Sequence, residues 1–384
     1  MVPLLKKIIL IIFLNSFLVF CQNKIEVTIN VEVTNLQKND SIYIVGNLKE
    51  IGNWNPSEVK LNKLTDSTWQ RSFNIEKDEI LEFKFTKGSW QSEALDDEGN
   101  LPGNYILKIK NDTTLTFKIS KWKDETYVNE GNKFKGQITG QVYYHENMSG
   151  KNIYPRDIVV WVPPGYKSED EKRYPVLYAH DGQNLFDPYT SSFGIDWQMD
   201  ETADSLIKNN FVKPFIIVGI YNTIHRSAEY SENDTGKAYM KFIVNELKPF
   251  IDNNYKTNPN REATFTSGSS SGGLISFMLL WEYPEIFSGA VCVSPALKIN
   301  KIDYVDNVLE YSGVKKPIKI YIDNGGIGIE EKLQPGINEM VTALLGKDYI
   351  MGKDLFVYNF EDVEHNETAW AARVWKPLKI FFGR

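Results

Sequence analysis

The stretch Thr264-Phe-Thr-Ser-Gly268-Ser269-Ser270-Ser271-Gly272-Gly273 carries the pattern G-x-S-x-G around Ser270. The apolar run at 263–266 predicts a strand before it, and residues 272–281 predict a helix after it. A strand–turn–helix context is what lifts a serine out on a sharp turn. Gly268 and Gly272 lack side chains, so strand and helix can approach while the Ser270 hydroxyl stays accessible. The turn also sets that hydroxyl at a helix N-terminus, where N–H groups and the helix dipole favour negative charge. Ser270 is therefore the candidate nucleophile.

The flanking sequence supports a sheet built around this turn. Apolar runs at 158–162, 176–179, 215–220, 290–293 and 318–322 alternate with helical patterns at 199–208, 238–253 and 333–345. Strands alternating with helices predict a mostly parallel sheet covered on both faces, within a domain from 137 to 384.

A serine needs a base, and the chain has four histidines: His145, His180, His225 and His365. In the order serine, acid, histidine, His365 alone follows the nucleophile. It sits in a loop beyond the last strand candidate, 355–360. The acid should follow the strand at 318–322, which leaves Asp323, Glu330 and Glu331. An oxyanion hole needs two backbone N–H groups. Ser271, just after the nucleophile, supplies one, and Gln183 in the loop after the strand at 176–179 supplies the other. His180 and Asp181 in that loop read as turn-bracing residues.

Residues 24–120 have another texture. Ile25, Val27, Ile29, Val31 and Val33 alternate with polar residues, as do Leu81, Phe83 and Phe85, and then Leu115, Phe117 and Ile119. This period of two predicts half-wet strands of a small β-sandwich. The polar stretch 121–136 reads as a linker. Residues 1–21 pair Lys6 and Lys7 with a short apolar run, the pattern of an export signal. Leu18-Val-Phe-Cys21 is similar to a lipoprotein cleavage box apart from Phe20. Two destinations follow: secretion, or a cell-envelope lipoprotein anchored at Cys21. The only other cysteine, Cys292, lies in an apolar run and reads as a core thiol. Of the 384 residues 42% are hydrophobic and 24% charged, as in a globular protein. A net charge of −7 argues against nucleic acid as partner.

The segments Tyr178-Ala-His-Asp-Gly-Gln-Asn-Leu-Phe186, Arg226 with Glu229-Tyr230, Glu246-Leu-Lys-Pro249, Gly268-Ser-Ser-Ser-Gly-Gly-Leu-Ile275 and His365-Asn-Glu with Trp370 together resemble the esterase D-like family of α/β-hydrolases. That family includes feruloyl esterases, siderophore esterases and mycolyltransferases. The resemblance implies a serine carboxylic-ester hydrolase of the α/β-hydrolase fold that uses no metal or organic cofactor. Its catalytic serine and histidine carry over to Ser270 and His365. The family's acid lies in the Gly-rich loop after the late strand, which favours Glu330 over Asp323. Arg226 with Glu229-Tyr230 would either shape the pocket or form an Arg–Glu structural pair.

Gly46, Gly52-Asn-Trp54, Trp69, Glu82-Phe-Lys84-Phe85 and Trp90 resemble a starch-binding module of the family 20 type. The resemblance implies that Trp54, Lys84 and Trp90 meet a glucan, with Asn104 a looser match, whereas Trp69 reads as core. A fused glycan module makes a carbohydrate-linked ester the expected substrate. The alternatives are a siderophore trilactone esterase, and a glycan-binding surface lipoprotein whose hydrolase domain is inactive.

Overall fold

The computed structural model describes residues 24–34, 36–37, 40–89, 92–97, 99, 102, 104–126, 138–169, 171–192 and 194–384. The expected export segment 1–21 with Cys21, most of the linker, and Trp90 lie outside these.

The N-terminal part is a sandwich of two four-stranded sheets. In one sheet Lys24–Val33 lies between Thr68–Glu76, antiparallel, and Thr113–Ile119, parallel. In the other Ile80–Thr86 lies between Tyr43–Gly46 and Tyr105–Lys108. The alternation in the sequence decides what faces inward. Val27, Ile29 and Val31 are fully buried, and Phe83, Phe85 and Trp69 join them in the core. The stretch 121–126 departs from the linker expectation. Lys121–Trp122 pairs with Ala94–Leu95, and Trp122 is fully buried in the sandwich core, so the domain keeps these residues.

The second part holds one eight-stranded sheet. Its strands are β1 (Gln141–Gly150), β2 (Ile153–Val162), β3 (Val176–His180), β4 (Ile216–Ile220), β5 (Thr264–Ser269), β6 (Gly289–Val293), β7 (Lys319–Gly325) and β8 (Leu355–Phe360). The order across the sheet is β1-β2-β4-β3-β5-β6-β7-β8. The β1–β2 and β2–β4 pairs are antiparallel, and the remaining pairs are parallel. The helices used below are α1 (Met199–Lys208), α2 (Ser271–Glu282), α3 (Ile329–Leu345), α4 (Glu367–Ala371) and α5 (Trp375–Phe382). Separate apolar clusters cover the two sheet faces, one around Tyr178, Val218 and Phe277, the other around Trp161, Leu177 and Phe382. A sheet wet on neither face explains why β3, β4 and β6 read as nearly unbroken apolar runs. Helix α2 is buried almost all round, from Gly272 to Trp281. Cys292 is fully buried in β6, as a core thiol would be.

The two parts touch directly. Ser227 Oγ donates to Asn53 O at 3.1 Å, and Lys332 pairs with Glu79. The contacts come from segments that follow the C-terminal ends of β4 and β7, where an open parallel sheet leaves its crevice.

Candidate functional site

Ser270 stands between the end of β5 and the start of α2 with φ 55° and ψ −123°. A positive φ costs a non-glycine residue on the order of 1–3 kcal/mol and survives only where the surroundings fix it. Here three backbone hydrogen bonds do so: Ser270 N–H donates to Val293 O (3.0 Å), and Ser270 O accepts from Leu274 N–H (3.1 Å) and Ala296 N–H (3.0 Å). The flanking glycines are required by space. A Cβ on Gly268 would meet Gly272 O at 2.5 Å, and one on Gly272 would meet the Asp181 carboxylate at 3.1 Å.

His365 lies in the loop between β8 and α4, one residue before the cap of that helix. Asn366 fixes the loop by accepting from Ala369 N–H at 2.9 Å. The Trp370 ring meets the imidazole edge-on, with centroids 4.9 Å apart. Ser270 and His365 line the same cavity.

His365 Nδ1 is 3.3 Å from Glu330 Oε1. Of the three candidate acids, Glu330 is therefore the one set against the imidazole. It sits in the first turn of α3, which begins at Ile329, four residues earlier than the sequence pattern indicates. Burial raises the Glu330 carboxyl, but His365, Ser294 and Arg373 outweigh it and hold the group below its ordinary range. The alternative acid, Asp323, is placed elsewhere. It accepts from Tyr321 Oη (2.8 Å) and pairs with Arg373 Nε (3.2 Å), and no contact to His365 accompanies these. Its position at the end of β7 serves the floor of the site.

Ser294 ties this floor together. Its hydroxyl donates to Glu330 Oε1 (2.7 Å) and accepts from Arg373 Nη2 (2.8 Å). Neither Ser294 nor Arg373 was singled out in the sequence. They are 79 positions apart, and no local spacing links them.

The loop after β3 places Asp181 at φ 57° and Gly182–Asn184 in a single tight turn. Gln183 is buried, and its carbonyl accepts from Thr190 Oγ1 at 2.6 Å. Asp181, Asn184 and Ser192 of the same region line the cavity. Asp181 takes both oxygens to Arg226, at 2.7 Å each. Burial raises its carboxyl, and Arg226 and Asn222 more than offset that. Arg226 and Glu229 do not form the pair that the sequence allowed. Glu229 faces inward to Arg156, and Arg226 is left to hold the loop that borders the cavity. His180 is buried beneath, with Nδ1 2.8 Å from Tyr239 Oη. Burial pushes its pKa down to about 3, so it is a neutral brace.

The sandwich supplies part of the cavity wall. Asn47, Trp54, Glu82 and Asn104 line it opposite Ser270 and His365. Lys84 does not fit the glucan contact implied for it. It is 1% exposed, its ammonium pairs with the buried Glu93, and it donates to Pro102 O at 2.7 Å. The period of two would leave Lys84 on a wet face, but that face abuts the second domain, with Ser192 O 3.5 Å away.

One lining residue had been left without a role. Glu367, at the start of α4, is buried, and its pKa is pushed up to about 8, first by burial. It stands two residues after His365 in the chain. Among the described residues, Asp196, Asp200 and Glu201 form the one acidic group with ligand atoms within 4.8 Å of one another. Burial, then the contact with Glu201, lifts the Asp200 carboxyl to about 9.

The "Putative esterase" family model matches residues 154–374, and the "Starch binding domain" model matches 24–116. An uncharacterized protein of Bacillus subtilis, YjcH, is 27% identical over 232 residues, covering 58% of this chain and 89% of that protein. The ferri-bacillibactin esterase BesA of the same organism is 28% identical over 152 residues, 33% of this chain and half of its own length. The endo-1,4-beta-xylanase/feruloyl esterase of Xylanibacter ruminicola is 29% identical over 136 residues, 33% of this chain and 18% of its own. Among solved structures, an enterochelin esterase of Shigella flexneri aligns over 94% of this chain and 93% of its own, at 12% identity and a TM-score of 0.53. A ferulic acid esterase aligns over 63% of this chain and 98% of its own, at 18% identity and a TM-score of 0.52. The fold is that of these α/β enzymes, and the chain belongs to the esterase family, a family of carboxylic ester hydrolases.

Proposed function

We propose that the protein is a serine esterase in which Ser270 is the nucleophile, His365 the general base and Glu330 the acid that orients it. The observation that carries this reading is one cavity lined by Ser270 and His365, with Glu330 3.3 Å behind the imidazole. Because Nδ1 faces Glu330, Nε2 is the nitrogen left to exchange protons in the cavity. The Ser270 Oγ–carbonyl bond forms as its proton passes to Nε2. The C–O bond to the alcohol then breaks, and the alcohol leaves with that proton. Water repeats the sequence on the acyl-enzyme, releasing the acid and restoring Ser270. The N–H groups of Ser271 and Gln183 hold the oxyanion in both halves.

The substrate in this reading is an ester attached to a carbohydrate. Support comes from the starch-binding match at 24–116 and from the feruloyl esterase relative. The siderophore reading draws on the bacillibactin and enterochelin esterases. Charge counts against it. With Glu367 protonated near neutral pH and Asp181 paired with Arg226, the cleft still presents Glu82, Glu331 and Glu364 against Lys108, a poor setting for an anionic ferric catecholate. Turnover of a p-nitrophenyl ester by wild type and Ser270→Ala tests the chemistry. Equal turnover by both would overturn it. Wild-type activity confined to a trilactone, with none on glycosyl esters, would overturn the substrate.

A further inference from the structure

The cleft has two chambers. The inner one holds Ser270 and is about 100 Å³; the outer one is about 480 Å³. Glu82, Asn104, His365 and Glu367 line both, so the chambers meet at the imidazole. If Ser270 and His365 act as proposed above, that junction gives the cleft a direction. The imidazolium must protonate the departing oxygen, so the alcohol side of the ester lies on the His365 side of Ser270. The alcohol therefore extends into the outer chamber, and the acyl group stays in the inner one against Trp54 and Trp370.

The outer chamber is walled by both domains. The sandwich contributes Ile80, Glu82, Asn104 and Ile106, and the hydrolase adds Ile195 and Ile327. Ile106, Ile195 and Ile327 are exposed and line the same chamber, so they present apolar surface to whatever enters it. Carboxylates and an amide interleaved with apolar ridges suit a pyranose, which has hydroxyls at its rim and C–H groups on its faces. Asn104 and Glu82 line both chambers side by side, and Asn104 partly offsets the rise that burial gives the Glu82 carboxyl.

We propose that Glu82 and Asn104 of the β-sandwich form the subsite for the sugar alcohol of the ester, so that the glycan module works inside the catalytic cleft. The face that such a module would turn toward a polymer is turned here toward Ser270. The module is then a specificity element of the esterase, and its contribution appears in which alcohol is accepted.

The test uses the full-length protein and two esters of one aromatic acid, a methyl ester and an ester to a hydroxyl of a methyl glycoside. The ratio of kcat/KM for the glycoside ester to that for the methyl ester is measured in wild type, Asn104→Ala and Glu82→Gln. A fall in this ratio of fivefold or more in either variant is expected. A smaller change in both overturns the inference, while Ser270-dependent turnover of the methyl ester would leave the esterase reading intact. Glu82→Gln preserves side-chain size, so it carries the test if Asn104→Ala does not fold. Wild-type turnover that persists in Ser270→Ala would overturn the catalytic reading, and with it the direction of the cleft.

Discussion

At the scale of single residues, the proposed chemistry rests on three side chains drawn from distant parts of the chain. His365→Ala should cut turnover by several orders of magnitude, as loss of a triad base does, with the melting temperature little changed. A loss under about tenfold would place the base elsewhere. Glu330→Gln should cost much more activity than Asp323→Asn, because only Glu330 reaches His365. Glu367 gives a pH signature. Its folded pKa of about 8 exceeds the ordinary 4.5, so the folded state keeps a proton that the unfolded chain releases between those values. Stability therefore falls as pH rises through that window. Glu367→Gln should flatten the decline in melting temperature measured from pH 5 to 8; an unchanged slope would assign it to other buried carboxyls with raised pKa, Asp196 and Asp200. Ser270 and His365 were legible because motif and chain order are local properties. Glu367 was not, because its behaviour comes from burial against the other domain.

At the scale of elements, the turn at Ser270 is the most constrained feature of the sheet. Gly268→Ala would drive a Cβ to 2.5 Å from the backbone oxygen of Gly272. Backbone cannot rotate away as a side chain can, so α2 must move and carry the serine with it. We expect at least a hundredfold loss of kcat, since a displacement of about 1 Å at a reacting group costs that much. Activity within threefold of wild type would show that the turn tolerates the methyl group. The element pattern of the hydrolase could be read from sequence wherever strands are buried on both faces, as β3 to β7 are. Strand β1 escaped. Gln141–Gly150 is an exposed edge strand of polar and aromatic residues, and an edge wetted along its length carries neither an apolar run nor a clean period of two. Helix α3 was read four residues short for a related reason. Its first turn contains Glu330 and Glu331, which look like loop until the contact of Glu330 with His365 is seen.

At the scale of the whole molecule, the packing of sandwich on hydrolase changes the meaning of residues that the sequence assigned to sugar binding. Lys84 is the clearest case. As a glucan contact it would be an exposed donor whose loss weakens binding and spares the fold. As found, it is buried against Glu93 where the domains meet. Removing one member of a buried pair strands the other charge and costs about 3–5 kcal/mol, whereas replacing both by apolar groups is often close to neutral. Lys84→Met should therefore lower stability by that order in denaturant unfolding, and Lys84→Met with Glu93→Leu should recover most of the loss. A sugar-binding lysine gives the opposite result: unchanged unfolding in Lys84→Met, with reduced affinity for a malto-oligosaccharide by calorimetry. Burial of Glu93 raises its carboxyl despite Lys84, so stability should also fall as pH rises through the ordinary carboxylate range, and the double variant should lack this component. The distinction matters for the esterase, because the Lys84 ammonium held by Glu93 also meets Ser192 O of the hydrolase at 3.5 Å, a contact that helps keep Glu82 and Asn104 fixed relative to His365. A loosened interface in Lys84→Met should then show as a higher KM for glycoside esters, with kcat for a methyl ester falling less.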